Sequence, residues 1–186
     1  MAKYRICVFC GASAGASTEY VSQGYALGAE LGRRGLGLVY GAGGVGVMGA
    51  VSDGALSTGG EVIGVIPQAL MDREYGRLDL SDLRVVATMH ERKAVMHELA
   101  DAFVVLPGGL GTLEEMFETL TWSQLGLQQK PLAVLNIGGY YTPLRSLLAH
   151  AVTEGFMTPA DQTLVHFADT VAEIWPALQP AVSRPD

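Results

Sequence analysis

Short apolar runs alternate with runs of helical period, glycine clusters separate them, and the chain has 186 residues. Together these features predict a single α/β domain with a doubly wound parallel sheet, Rossmann-like in its layering. In such a sheet ligands sit beyond the carboxyl ends of the strands, so the loops there are where chemistry is expected. The domain is expected to fill residues 1–179, and the tail at 180–186, rich in Pro and Ser, is expected to fray.

Residues 5–10 read Arg-Ile-Cys-Val-Phe-Cys and form the first strand. Small residues at 11–18 make a loop, and a helix follows over 19–34, with Ser17 or Thr18 as its cap and Gly35 as its stop. A strand at 37–40 runs into Gly41-Ala42-Gly43-Gly44-Val45-Gly46, and the next helix, 47–58, ends on Gly59-Gly60. Residues 61–66 give a third strand, 67–82 a polar loop carrying Glu74, and 83–86 a short fourth strand. A helix over 89–100 precedes an apolar strand at 102–106. Then Pro107-Gly108-Gly109-Leu110-Gly111-Thr112-Leu113-Glu114-Glu115 opens a helix that reaches about 125. A strand at 132–135, a helix over 141–154 and two closing elements at 164–167 and 170–178 complete the fold.

Charge and cysteine usage narrow the partners. A formal net charge of -7 is the wrong sign for nucleic acid or an anionic membrane, so a small molecule is the expected ligand. No secretory signal and no apolar run long enough to cross a bilayer is present, which predicts a cytoplasmic protein. Cys7 and Cys10 form a C-x-x-C, but within an extended strand they stand roughly 10 Å apart on opposite faces. That geometry forbids a disulfide. His90, His97, His150 and His166 supply no matching spacing for zinc, and His90-Glu91 lacks the second histidine of H-E-x-x-H, so no metal is expected.

Two glycine turns carry the binding chemistry. The three glycines of the second turn, Gly108, Gly109 and Gly111, let the backbone approach a ligand, and unpaired N–H groups at the helix start seat a phosphate. No lysine follows as in G-x-x-x-x-G-K-[ST], which excludes a triphosphate loop of that type. Gly41-x-Gly43-x-x-Gly46 matches the dinucleotide fingerprint, but no acidic residue ends the following strand to hold a ribose. A turn bordering the same nucleotide pocket is the better use.

Two charged side chains stand out. Thr112-x-x-Glu115 fits a capping box, which would make Glu115 structural. On a helical wheel Leu113, Met116, Phe117 and Leu120 share one stripe and Glu115 points away from it with Trp122. A carboxylate beside a phosphate seat is explained by a positive charge that develops in reaction, such as an oxocarbenium ion. Arg92 falls within the apolar stripe of Met89, Val95, Met96 and Leu99, and a guanidinium rarely points inward unpaired. It either pairs with a structural carboxylate or aims at the substrate.

These motifs resemble those of the Lonely guy (LOG) family of cytokinin riboside 5'-monophosphate phosphoribohydrolases over nearly the whole chain. The family's P-G-G-x-G-T-x-x-E stands intact at Pro107 to Glu115, its Arg-Lys pair is Arg92-Lys93, and its G-G-x-x-G-x-M-G falls on residues 42–49, with Ala42 for the first glycine and Val47 for the usual leucine. The resemblance implies hydrolysis of the N-glycosidic bond of N6-modified AMP, to free base and ribose 5-phosphate, without a cofactor. It implies Arg92 and Glu115 as the catalytic pair. Substrate contacts are implied for Ser13, Gly43, Gly44, Gly46, Glu74, Lys93, Gly109, Leu110, Gly111, Thr112, Leu113, Glu114 and Thr121. It implies a homodimer or larger homo-oligomer. Met96 and Trp122 are the expected neighbours of the base. Two alternatives stay open: a general hydrolase of AMP and other nucleoside 5'-monophosphates, and a non-catalytic nucleotide or cofactor carrier.

Overall fold

The computed structural model describes residues 2, 4–71 and 77–182. Seven parallel strands form one sheet in the order β4-β3-β2-β1-β5-β6-β7. The strands are β1 (Arg5–Phe9), β2 (Gly37–Tyr40), β3 (Val62–Pro67), β4 (Asp82–Val86), β5 (Ala102–Val105), β6 (Leu132–Leu135) and β7 (Val165–Ala168). The four strands β1, β2, β5 and β6 carry apolar runs that are almost wholly buried. β4 is an edge, and its exposed Asp82–Arg84 pair marks it as one that resists further pairing.

The helices are α1 (Thr18–Arg33), α2 (Gly46–Ser57), α3 (Gln68–Met71), α4 (Met89–Leu99), α5 (Leu110–Gln124), α6 (Thr142–Thr153), α7 (Pro159–Gln162) and α8 (Trp175–Val182). Successive strand residues feed opposite faces of the sheet. Ile6, Val8 and Cys10 pack with Leu27 and Leu31 of α1, Val51 of α2 and Leu178 of α8. Cys7 and Phe9 pack with Met96 of α4, Met116 of α5 and Leu148 of α6. The sheet is therefore doubly wound, and Cys7 and Cys10 sit on opposite faces as free buried thiols.

Strand order reverses between β1 and β5, because the chain builds outward to β4 before crossing back. The loops after β1 and β5 diverge there and leave a crevice at the carboxyl edge.

Several boundaries differ from expectation. The stretch at 67–82 holds the single turn α3, and α7 appears where no helix was expected. Thr158 builds a capping box there with Asp161, reinforced by Pro159 in the first turn. The box expected at Thr112 and Glu115 does not form: the cap of α5 is Gly109, three residues earlier, with no side-chain hydrogen bond. The last element splits into a short 3-10 turn at Val171–Ile174 and α8, which carries helical backbone to Val182. Residues 183–186 and Glu74 lie outside the described residues.

Candidate active site

Three loops at the carboxyl edge are lashed to one another. Gly11 N–H donates to Pro107 O at 3.1 Å, joining the loops after β1 and β5. Met48 N–H donates to Gly11 O at 3.1 Å and Val47 N–H to Ser13 O at 3.4 Å, joining α2 to the first loop. Gly46, at φ 63°, is required for this: a Cβ on it would lie 2.3 Å from Ala12 O. The first N–H groups of α2 are thus spent on protein carbonyls, which removes the phosphate seat that a dinucleotide fingerprint would offer.

The start of α5 is different. Gly109 caps it with no side-chain hydrogen bond, so its opening N–H groups have no side-chain acceptor among the described residues. A cavity of about 510 Å3 lies against it, lined by the β1 loop from Cys10 to Gly15, by Pro107, Gly108, Gly109, Gly111 and Thr112, and by Arg92, Glu114 and Glu115. Gly109 and Gly111 have nothing within 4 Å of where a Cβ would be, so the backbone itself is presented.

Two buried charges share this wall. Arg92 is 4% exposed. Its Nε donates to Val65 O at 3.1 Å and its Nη2 to Gly41 O at 3.0 Å, which plants the guanidinium across the ends of β2 and β3. Thr88 starts α4 at the angle this needs by accepting from Glu91 N–H at 3.1 Å. Glu115 is 7% exposed. Burial raises the Cys10 thiol, the Glu115 carboxylate raises it further and Arg92 lowers it, so both charges act on one buried atom from close range.

The wheel expected for α5 is rotated. The inward residues are Thr112, Glu115, Met116 and Thr119, and Phe117 is 39% exposed. The first two turns are shared between core, which takes Met116 and Leu113, and cavity, which takes Thr112 and Glu115. Glu115 thus faces the cavity, not solvent, and Trp122, seven residues on along the same side of the helix, meets His97 at 4.5 Å.

Of the expected substrate residues, the cavity gathers Ser13, Arg92, Gly109, Gly111, Thr112, Glu114 and Glu115. Among the described residues it does not gather the others. Gly43 is buried behind Met48, whose Sδ would lie 2.9 Å from a Cβ there; Gly44 is exposed and Gly46 half-buried, and neither lines the cavity. Lys93 turns to Glu114 and to Glu118, the latter at 2.9 Å. Leu110 is 86% exposed, Leu113 packs against the second core cluster, and Thr121 is exposed with its hydroxyl on Phe117 O. Met96 is core and Trp122 lies elsewhere; the apolar lining is Val47, Met48, Leu70 and Met89. Tyr20 and Tyr140 also line the cavity, and no motif reading had singled them out. The signal was a Gly138-Gly139 pair before Tyr140, a turn that throws the next side chain back over β5.

Among the described residues no cluster of three His, Cys, Asp or Glu could hold a metal ion, and no helix is long and apolar enough to cross a membrane.

A family model described as "Possible lysine decarboxylase" matches residues 48–178. The chain is 46% identical to the cytokinin riboside 5'-monophosphate phosphoribohydrolase LOG1 of Arabidopsis thaliana over 180 residues, 97% of this chain and 84% of that protein. It is 46% identical to the enzyme of the same name, LOG, from Oryza sativa subsp. japonica over 170 residues, 91% of this chain and 70% of that one. The molybdenum cofactor carrier protein of Chlamydomonas reinhardtii shares the fold, with a TM-score of 0.75 at 21% identity over 98% of this chain and 99% of that one.

A decarboxylase that forms a Schiff base needs a lysine in its cavity. Lys93 is held by two glutamates, and Lys130 donates to His97 O at 2.6 Å; neither lines the cavity. The family's description and this site therefore disagree on chemistry.

Proposed function

This chain belongs to the LOG family of phosphoribohydrolases, and from that membership we propose that it hydrolyses the N-glycosidic bond of cytokinin riboside 5'-monophosphates, N6-modified forms of AMP. The products are the free base and D-ribose 5-phosphate. The observation that carries the reading at the site is the pair of buried charges, Arg92 and Glu115, on the wall of a cavity that also holds the uncapped start of α5.

The 5'-phosphate sits on the N–H groups of Gly109 to Thr112, where the helix start favours an anion. Ser13, from the β1 loop, borders the same seat. With the phosphate fixed, binding energy holds the ribose near Glu115. As the C1'–N bond breaks, its electron pair leaves with the base, and positive charge grows on the ribose ring. The Glu115 carboxylate stabilises that charge and takes a proton from the water that attacks C1', while the departing base, which carries the bond's electron pair, takes up a proton from solvent. Arg92, held by two strand-end carbonyls, orders the ribose and phosphate side. Val47, Met48, Leu70 and Met89 give an N6 substituent an apolar surface. The enzyme needs no cofactor in this scheme. It acts as a homodimer or larger homo-oligomer in the cytoplasm; exposed apolar residues on α5 support the assembly.

The test is incubation with AMP, with N6-isopentenyl-AMP and with the two matching ribosides, scoring free base by chromatography. Both monophosphates release base, the prenylated one at higher kcat/KM, and neither riboside does. Equal turnover of AMP points instead to a general nucleotide hydrolase. No release from any of the four returns the protein to the carriers.

A further inference from the structure

The chain after β6 ends one flank of the cavity. Gly138 and Gly139, at φ 58° and 77°, bend it back toward β5. Asn136 fixes the bend: its Oδ1 accepts from Tyr141 N–H at 2.7 Å and its Nδ2 donates to Asp169 Oδ1 at 3.1 Å. Tyr141 is then buried, with its hydroxyl donating to Leu106 O at 2.9 Å. Tyr140 reaches one step further along the same turn and donates to Gly108 O at 2.7 Å. The two hydroxyls take carbonyls of the β5 turn, so they do not compete for its N–H groups.

The ring of Tyr140 is braced on both sides. It meets Tyr141 edge-on at 4.9 Å and Tyr20 at 5.7 Å. Tyr20 fills the space above Gly15, where a Cβ would lie 2.6 Å from the ring. Both Tyr20 and Tyr140 line the cavity with Gly108, Gly109 and Gly111. Arg92 is anchored on the β2 and β3 side and Tyr140 comes from the β6 side, so the α5 start lies between them. Solvent stands behind the ring, which is 41% exposed.

We infer that Tyr140 sets how many phosphates the site accepts, its ring closing the cavity just beyond the seat for one. This rests on the reading of the α5 start as the 5'-phosphate seat. A monophosphate leaves the braced ring in place. A second phosphate has to take the space the ring occupies, and displacing the ring breaks the bond to Gly108 O and two aromatic contacts.

The experiment compares AMP with ADP in the wild-type protein and in Tyr140→Phe, Tyr140→Leu and Tyr20→Leu, by calorimetric binding and by base release. Wild type favours AMP by about a hundredfold in binding, and Tyr140→Phe, which keeps the ring, stays within about threefold of that ratio. Tyr140→Leu narrows it by about tenfold or more, and Tyr20→Leu, which removes a brace, narrows it as well. An unchanged ratio in the folded Leu variants overturns the inference, as does equal binding of AMP and ADP by wild type. The binding ratios do not depend on turnover. A wild-type protein that binds AMP over ADP but releases no base refutes the proposed hydrolysis and leaves the role of Tyr140 to be decided by the Leu variants.

Discussion

Glu115 is a carboxylate kept 93% out of solvent on the wall of the cavity. In the proposed reaction that carboxylate meets the cation that forms on ribose. Glu115→Gln keeps the shape and removes the charge. Its kcat should fall by about a hundredfold or more, while AMP binding, set by the phosphate seat, changes by no more than about threefold. Single-turnover base release alongside calorimetry separates the two. Normal turnover in the variant would leave Glu115 a structural residue. The motif that contains Glu115 was legible as a string of residue types, because glycines before a helix start have one physical use at a strand end. The direction of its side chain was not. A helical wheel assumes that one apolar stripe faces in, and over the first two turns of α5 the inward side is shared between the core, which takes Met116, and the cavity, which takes Thr112 and Glu115. Glu74 keeps its place as an expected substrate contact and lies outside the described residues.

Between elements, the packing that positions the two charges is partly polar. α4 carries Arg92 and α5 carries Glu115, and His97 joins the two helices: its Nε2 lies 3.3 Å from Thr119 Oγ1, whose proton goes to Glu115 O at 2.7 Å. His97 is therefore the donor in that pair. Its ring packs on Phe103 at 4.8 Å and Trp122 at 4.5 Å. Burial is the main cause that pushes its pKa down to about 4 from the ordinary 6.5; Glu118 opposes the shift, and Lys130 and Lys93 add to it. The unfolded chain takes up a proton near the ordinary value that the native state refuses until about 4, so the native state loses stability as pH falls through that window. Melting temperature should drop from pH 7 to pH 4.5 more steeply in wild type than in His97→Phe. Parallel curves for the two proteins would assign the acid sensitivity to other groups. Sequence reading saw His97 only as a metal ligand without a partner, because its neighbours on α5 are distant in the chain. For α1 it gave a helix with its cap and stop and no use for its glycines. Gly24, Gly28 and Gly32 form a small-residue stripe on which α2 rides so closely that a Cβ at Gly28 would lie 1.9 Å from Val51 O. Composition hints at such a stripe; only the crossing of the two helices reveals what it is for.

For the whole molecule, the doubly wound sheet was legible from alternation, since buried parallel strands have to be apolar throughout and the helices between them periodic. Assembly is a different matter, decided by which apolar side chains the fold leaves outside. On α5 these are Leu110, Phe117 and Leu125, at 86%, 39% and 65% exposure, with Leu127 just beyond at 70%. Leu113 and Leu120 continue the strip as half-buried residues. A strip of this kind on the helix that opens the active site is costly to leave in water, and in the proposed dimer it meets its copy across a two-fold axis. It also accounts for Leu110 and Thr121, which the family resemblance places at the substrate and which point away from the cavity of their own chain. Phe117→Asp puts a charge at the centre of the strip. Light scattering after size exclusion should find wild type at twice the chain mass or more and Phe117→Asp shifted toward the single chain at micromolar concentration. The monomer should keep its fold, because Phe117 belongs to neither core cluster, and should lose turnover if α5 has to be held by a second copy. An unshifted oligomer would move the interface to the other exposed apolar pair, Leu147 on α6 and Phe156 beyond it, and a wild-type protein that runs as a single chain would remove the dimer from the proposal altogether.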